Sequence, residues 1–305
     1  MVEDICAHIK QRYGNITRYD GPILNYLGMV FDLSTAGEVR MTMGGYIKET
    51  LAVAGVTGKA RSPATDGLFE TREGAELVPE VQRAWSHSIV AKLCYLAKRA
   101  KPECLTAMAF LATRVTRCTK DDVVKLCCVL KYITHTKEMG VILRPGKLGI
   151  RVRVYVDAAY GVHSDGKSHT GSCVVIGDIG AVHCKSSKQS IVTKSSTEAE
   201  LIAPSDSANQ GLYLRNFLLA QGYAMKPVVL YQDNTSCMAL VERGRSGAER
   251  TRHISIRYFW VRERVENGEA VIRHKGTKDM YANVLTKPLQ GAQFLYERMC
   301  LTGWA

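Results

Sequence analysis

Asp157, Glu200 and Asp233 lie in separate stretches of the chain, each where an ionised carboxylate is costly unless its charge is shared. Asp157 ends the run Val152-Arg153-Val154-Tyr155-Val156-Asp157, whose alternation predicts a strand with the valines on one face and Arg153, Tyr155 and Asp157 on the other. Asp233 closes a second apolar run, Val228-Val229-Leu230-Tyr231-Gln232, and Asn234-Thr235-Ser236 after it reads as a helix start. Glu200 falls in the opener Ser195-Ser196-Thr197-Glu198-Ala199-Glu200. Ser195 and Glu198 have capping-box spacing, which gives Glu198 a structural task. Glu200, about 200° further round the helix, is left for chemistry. Two strand-end aspartates and one helix glutamate make a carboxylate cluster, which is the chemistry of divalent-cation binding.

The elements that must position these acids follow a break at Arg144-Pro145-Gly146-Lys147-Leu148-Gly149. Beyond it the pattern predicts strands near 151–158, 171–177 and 180–185, a helix from 196 to about 220, and a strand at 228–233. Helices at 235–242 and 251–266, a strand at 269–274, and short helices near 278–286 and 291–300 complete it. Three antiparallel strands, a helix, then a strand beside the first describe a five-stranded mixed sheet flanked by helices, an α/β fold. Before the break the chain reads as mainly helical, with amphipathic helices at 89–100, 105–115 and 121–134, the last capped by Thr119. Upstream lie a hairpin across 24–43 and a helix near 46–54, then a turn-rich loop over 58–79.

Composition narrows the class. The 305 residues allow two domains, and 46% apolar content builds proper cores. No apolar run approaches the length of a membrane span and no basic-then-apolar leader opens the chain, so a cytoplasmic protein is expected. The ten cysteines show no metal-finger spacing and read as reduced core thiols. A net charge of +12 fits a polyanionic partner, nucleic acid first, and the stretch from Arg243 to Arg264 carries seven arginines against Glu249 and Glu263.

Several of these segments together resemble the ribonuclease H domain of copia-type retrotransposon Pol polyproteins. They are Tyr155-Val156-Asp157, Ser186-Ser187-Lys188-Gln189, Ser195 to Glu200, Asp233-Asn234, Arg252-His253-Ile254 and Leu285-Thr286-Lys287-Pro288-Leu289, in that order. The first half is similar to the same polyprotein: Tyr26-Leu27-Gly28 resembles the primer-grip turn of its reverse transcriptase, and Val90 to Pro102 with Leu130 to Gly140 resemble the helical thumb and connection. The resemblance implies a reverse transcriptase C-terminal part over 1–146 and a ribonuclease H-like domain over 150–305. No Tyr-x-Asp-Asp precedes the primer-grip-like turn, so the chain is not expected to polymerise alone, and the fingers and palm become an expected partner.

The implied activity is hydrolysis of the RNA strand of an RNA–DNA hybrid with two Mg2+ ions, Mn2+ being a substitute. By the resemblance, Asp157 bridges both ions, Glu200 holds one beside the attacked strand, and Asp233 orients the metals and the water. Lys185, Lys188, Arg252 and Arg257 are the candidates for phosphate contact. The family's fourth acid sits in an Ala-Asp pair before Thr-Lys-Pro-Leu; here the pair is Ala282-Asn283, which places Asn283 in the catalytic and metal set one charge short. Asp279, one turn earlier on an expected common helix, is a candidate to compensate through water. Pro204 is a second departure: it cannot donate to the Glu200 carbonyl and is expected to kink or restart the helix. A non-cleaving hybrid-binding module is the alternative reading. An integrase-type enzyme fits less well, because its acids run Asp, Asp, Glu and no zinc-binding leader is present. A virus-like particle and the nucleus stay open as locations beside the cytoplasm.

Overall fold

The computed structural model describes residues 2–146, 149–243 and 252–304. Helix α1 spans Val2–Tyr13 and buries none of its residues. A four-stranded antiparallel sheet follows in the order β1 (Ile23–Tyr26), β2 (Met29–Asp32), β3 (Val39–Thr42), β4 (Val141–Leu143). The β1–β2 hairpin turns at Leu27 and Gly28 with φ of 50° and 76°, the left-handed pair that a two-residue hairpin demands. Between β3 and β4 run α2 (Gly44–Ala54), α3 (Glu80–Ala97), α4 (Leu105–Ala112) and α5 (Lys120–His135). The capping box expected at Thr119 forms with Asp122. Helix α3 starts nine residues before its expected origin, because its first two turns are mostly exposed and carry no apolar period to read.

The second sheet has the order β7-β6-β5-β8-β9, with β5 at Arg153–Ala159, β6 at His169–Val175, β7 at Ala181–Lys188, β8 at Val228–Gln232 and β9 at Ala270–His274. Strands β5, β6 and β7 are antiparallel, while β5, β8 and β9 run parallel, which is the five-stranded mixed sheet expected. The expected facing of β5 is realised. Val152, Val154 and Val156 enter a core shared with α6 (Ser196–Ala220), α7 (Thr235–Arg243) and α8 (Arg252–Glu266). Tyr155, with Cys173 and Val175 of β6, enters the opposite core, which continues without interruption into Leu93, Leu96, Met108 and Leu130 of the helical half. A buried hydrogen bond from Thr106 Oγ1 to the Val284 carbonyl, 2.6 Å, stitches the same seam.

One expected helix does not form. Residues 278–286 are instead two short 3₁₀ turns, Thr277–Asp279 and Asn283–Leu285, separated by Met280 in extended conformation. Met280, Ala282, Val284 and Leu285 are all buried, a spacing that no single helical face provides. Asp279 therefore does not share a helix face with Asn283; it is exposed and accepts from Tyr296 at 3.4 Å. The chain ends on α9 (Gly291–Thr302). All ten cysteines are free thiols. No helix among the described residues is long and apolar enough to cross a membrane.

Candidate metal centre

Parallel neighbours deliver their C-terminal ends to the same edge of a sheet, so β5 and β8 bring Asp157 and Asp233 together. Helix α6 brings the third acid. It packs hard against this pair of strands: a Cβ at Gly211 would lie 2.5 Å from Val154 Cγ2 and 3.1 Å from Val228 Cγ1, so glycine is what lets the helix approach. At the other end of α6, Glu200 points into the gap between the aspartates. One carboxylate oxygen from each of Asp157, Glu200 and Asp233 lies within 4.8 Å of the others.

Helix α6 is continuous through Pro204. It does not restart at the proline, and the Glu200 carbonyl that proline leaves without a helical donor accepts instead from Gln232 Nε2 at 3.3 Å. Ser195 caps the helix, accepting from the Glu198 N–H at 3.2 Å, while the Glu198 carboxylate accepts from the Lys194 N–H. Glu198 thus takes the structural task expected of it, one residue further out than a standard capping box.

The three acids differ in their surroundings. Asp157 is buried, accepts from Thr286 Oγ1, and has Lys287 Nζ 3.1 Å from Oδ2. Asp233 is half-buried and accepts from Thr277 Oγ1 at 3.0 Å. Glu200 is only 7% exposed, and its Oε2 has no hydrogen-bond partner. Burial first, then the charges of Asp157 and Asp233, push its carboxyl up to about 9; hydrogen bonding from Gln232 and the charge of Lys287 offset this in part. A buried carboxylate oxygen with no donor, beside two more carboxylates, suits a hard divalent cation such as Mg2+ or Mn2+, which takes all-oxygen ligands.

Asn283 meets the site through Lys287. Its amide oxygen accepts from Lys287 Nζ at 3.1 Å, and the same Nζ reaches Asp157. The amide nitrogen donates to the Thr277 carbonyl at 2.7 Å and to Glu297 Oε1 at 3.1 Å. Glu297 is fully buried and also accepts from the Val284 N–H and Gln293; burial pushes its carboxyl up to about 7. The turn carrying Thr286 and Lys287 lies directly on β6. A Cβ at Gly171, the register partner of Asp157, would come within 2.7 Å of Leu285 Cβ and Thr286 Cγ2.

Of the proposed phosphate contacts, Lys188 pairs with Asp165 at 2.7 Å and Lys185 is half-buried on β7 opposite Ser172. Arg245 and Arg250 lie outside the described residues, as do the side chains of Arg252 and Arg257. His274 is exposed at the end of β9. Glu297, Thr277 and Gln232 carry no sequence signal: Glu297 reads as a surface charge on an amphipathic helix, and Gln232 as filler between an apolar run and an acid. Thr286 and Lys287 fall inside the Thr-Lys-Pro-Leu motif, which is the one hint of their place.

Comparison with known proteins agrees with the resemblance. No family model matches. The chain is 28% identical over 207 residues to the retrovirus-related Pol polyprotein from transposon RE1 of Arabidopsis thaliana, covering 68% of this chain and 14% of that protein. It is 29% identical over 208 residues to that of transposon TNT 1-94 of Nicotiana tabacum, covering 68% and 15%. Homologues of the chain are therefore Pol polyproteins of copia-type transposons, of whose length it spans about one seventh. Among solved structures, the foamy viral protease-reverse transcriptase in complex with dsDNA aligns with 84% of this chain and 45% of its own, at a TM-score of 0.48 and 11% identity.

Proposed function

We propose that this chain hydrolyses the RNA strand of RNA–DNA hybrids in the manner of ribonuclease H, with two divalent cations held by Asp157, Glu200 and Asp233 and the set completed by Asn283. The observation that carries this reading is the convergence of three carboxylates from β5, α6 and the end of β8 within 4.8 Å, with Glu200 Oε2 buried and unpartnered among them. When bound, the cations activate a water and stabilise the leaving oxygen. Asp157, the most buried of the three and held by Thr286 and Lys287, would be the ligand common to both cations. Glu200 favours its protonated form in the bare cluster, so cation binding and loss of its proton are linked. Asp233, half-buried and steadied by Thr277, would orient the cations and the attacking water. Lys185, Lys188, Arg252 and Arg257 supply contacts to the phosphate backbone, which makes affinity fall with salt and carry little sequence preference.

Residues 1–146 are read as the C-terminal part of a reverse transcriptase and 150–305 as the ribonuclease H-like domain, acting with the fingers and palm of a Pol protein in the cytoplasm or a virus-like particle. A second reading has one observation in its favour: Lys287 already neutralises part of the charge on Asp157, and Asn283 supplies no further carboxylate. On that reading the fold binds hybrids without cutting them. Incubating labelled hybrid with Mg2+ or Mn2+ and with parent or Asp157→Asn protein separates the two. Cleavage that disappears in Asp157→Asn supports the nuclease; salt-sensitive binding without cleavage selects the binding module; neither binding nor cleavage sinks both.

A further inference from the structure

Pro204 follows Glu200 by four residues inside α6, so the N–H that would close the helix on the Glu200 carbonyl does not exist. The vacancy is filled from the sheet. Gln232, the last residue of β8, donates Nε2 to that carbonyl at 3.3 Å, and its Oε1 accepts from the N–H groups of Asp233 at 2.8 Å and Asn234 at 3.2 Å. Two backbone donors on one end of the amide determine which end is oxygen, and so aim the nitrogen at Glu200. Gln232 is 2% exposed, so solvent does not compete for these bonds. A second glutamine, Gln189, reaches the neighbouring Ala199 carbonyl at 3.0 Å from the end of β7. That carbonyl has Ala203 four residues on, with an N–H of its own, so the Gln189 bond fills no vacancy.

We infer that Pro204 and Gln232 form a positioning lock, in which the proline frees one carbonyl so that a single buried amide can hold the backbones of Glu200 and Asp233 at a set separation. The inference rests on reading Asp157, Glu200 and Asp233 as cation ligands. Gln232 touches no substrate on this account; it acts through the two residues it ties. The arrangement turns a helix-breaking residue into a constraint between two ligand-bearing elements that are far apart in sequence. Outer-shell partners of metal ligands are commonly worth about 10–100-fold in metal affinity.

The test is a double-mutant cycle on the full chain, with Mn2+ affinity and the metal-free melting temperature as readouts. Ala at position 204 restores the N–H that closes on the Glu200 carbonyl, so Pro204→Ala makes that bond independent of Gln232. Gln232→Leu is expected to weaken Mn2+ binding about 10–100-fold in the parent. In the Pro204→Ala background the loss should be less than half as large on a logarithmic scale, and the fall in melting temperature should shrink in step. A space-filling role for Gln232, or one through its hydrogen bond to the Glu200 carboxyl alone, predicts equal losses in both backgrounds, and that result would overturn the lock. If Gln232→Leu does not fold, Gln232→Met serves, because it keeps the length and volume of the side chain while removing its amide; the same inequality is expected of it. A parent chain that binds no Mn2+ refutes the metal reading instead. The melting cycle then decides the lock by itself, unequal losses supporting it and equal losses overturning it.

Discussion

Replacing Glu200 by glutamine should make the metal-free protein more stable and at the same time remove its affinity for divalent cations. Folding buries this carboxyl beside two others and raises its pKa from 4.5 to about 9. At pH 7 the folded chain therefore holds a proton on Glu200 that the unfolded chain does not. At about 1.4 kcal/mol per pH unit, carrying it from 4.5 to 7 costs about 3 kcal/mol. The sign follows directly: a raised folded pKa contributes stability below pH 4.5 that is lost progressively as pH rises towards 9. Glutamine has no charge to lose. Its advantage should be under about 1 kcal/mol at pH 5 and about 3 kcal/mol at pH 7, which at roughly 2 °C per kcal/mol is about 6 °C in melting temperature. Comparing the two proteins at each pH cancels the titration of groups that do not interact with position 200. Mn2+ at about 100 times its dissociation constant should then stabilise the parent by about 2.7 kcal/mol and leave Glu200→Gln unmoved, so the two melting curves converge. Scanning calorimetry from pH 5 to 8 in chelator, followed by Mn2+ titration, measures both effects. Glu200→Gln melting at or below the parent at pH 7, or gaining as much from Mn2+, would refute the reasoning.

Asn283→Asp puts a carboxylate oxygen where Asn283 now donates to the Thr277 carbonyl and Glu297 Oε1, so on its own it should lower stability by about 1–3 kcal/mol. The pair Asn283→Asp with Glu297→Gln should recover most of that loss in denaturant melts, since the glutamine amide can donate where the carboxylate could only repel. Gly171→Ala drives a methyl into Leu285 and Thr286 and should cost about 1–3 kcal/mol, with hybrid cleavage falling further than stability because Thr286 and Lys287 shift off Asp157. Rescue of activity at low temperature would speak against that displacement. The buried pair His163 and His169, 3.0 Å apart, is driven by burial down to about 4 and about 3, so folded stability should fall as pH drops from 6.5 towards those values. His169→Asn should flatten this acid limb in pH-dependent melts; an unchanged slope would place the acid sensitivity elsewhere.

Much of the second half was legible because its signals are local. The alternation around Asp157 gave the strand and its facing, and Ser195 with Glu198 located the start of α6 to the residue. Asp233 at the end of an apolar run was enough to place it at a sheet edge. The motif order then told which acids should meet, and they do. The same local logic failed where periodicity was absent or misleading. Helix α1 carries Val2, Ile5 and Ile9 at helical spacing yet buries none of them, strand β4 is three residues long, and the buried positions between Met280 and Leu285 suit two tight turns rather than a helix.

What the sequence determined alone is the sheet and long helix that carry the site and the identity of the acids, since each rests on patterns a few residues wide. The tertiary structure decided how those acids are held: Lys287 against Asp157 across a separation of 130 residues, Glu297 behind Asn283, and Gln232 beneath the carbonyl that Pro204 leaves open. It also decided that one face of the sheet is roofed by the helical half, with Leu93 and Met108 sharing a core with Tyr155. The physical reason is range. Strand and helix patterns are written into neighbouring residues, whereas a hydrogen bond between distant segments depends on how closely they pack, and that is set by positions such as Gly171 and Gly211, which contribute only the absence of a side chain.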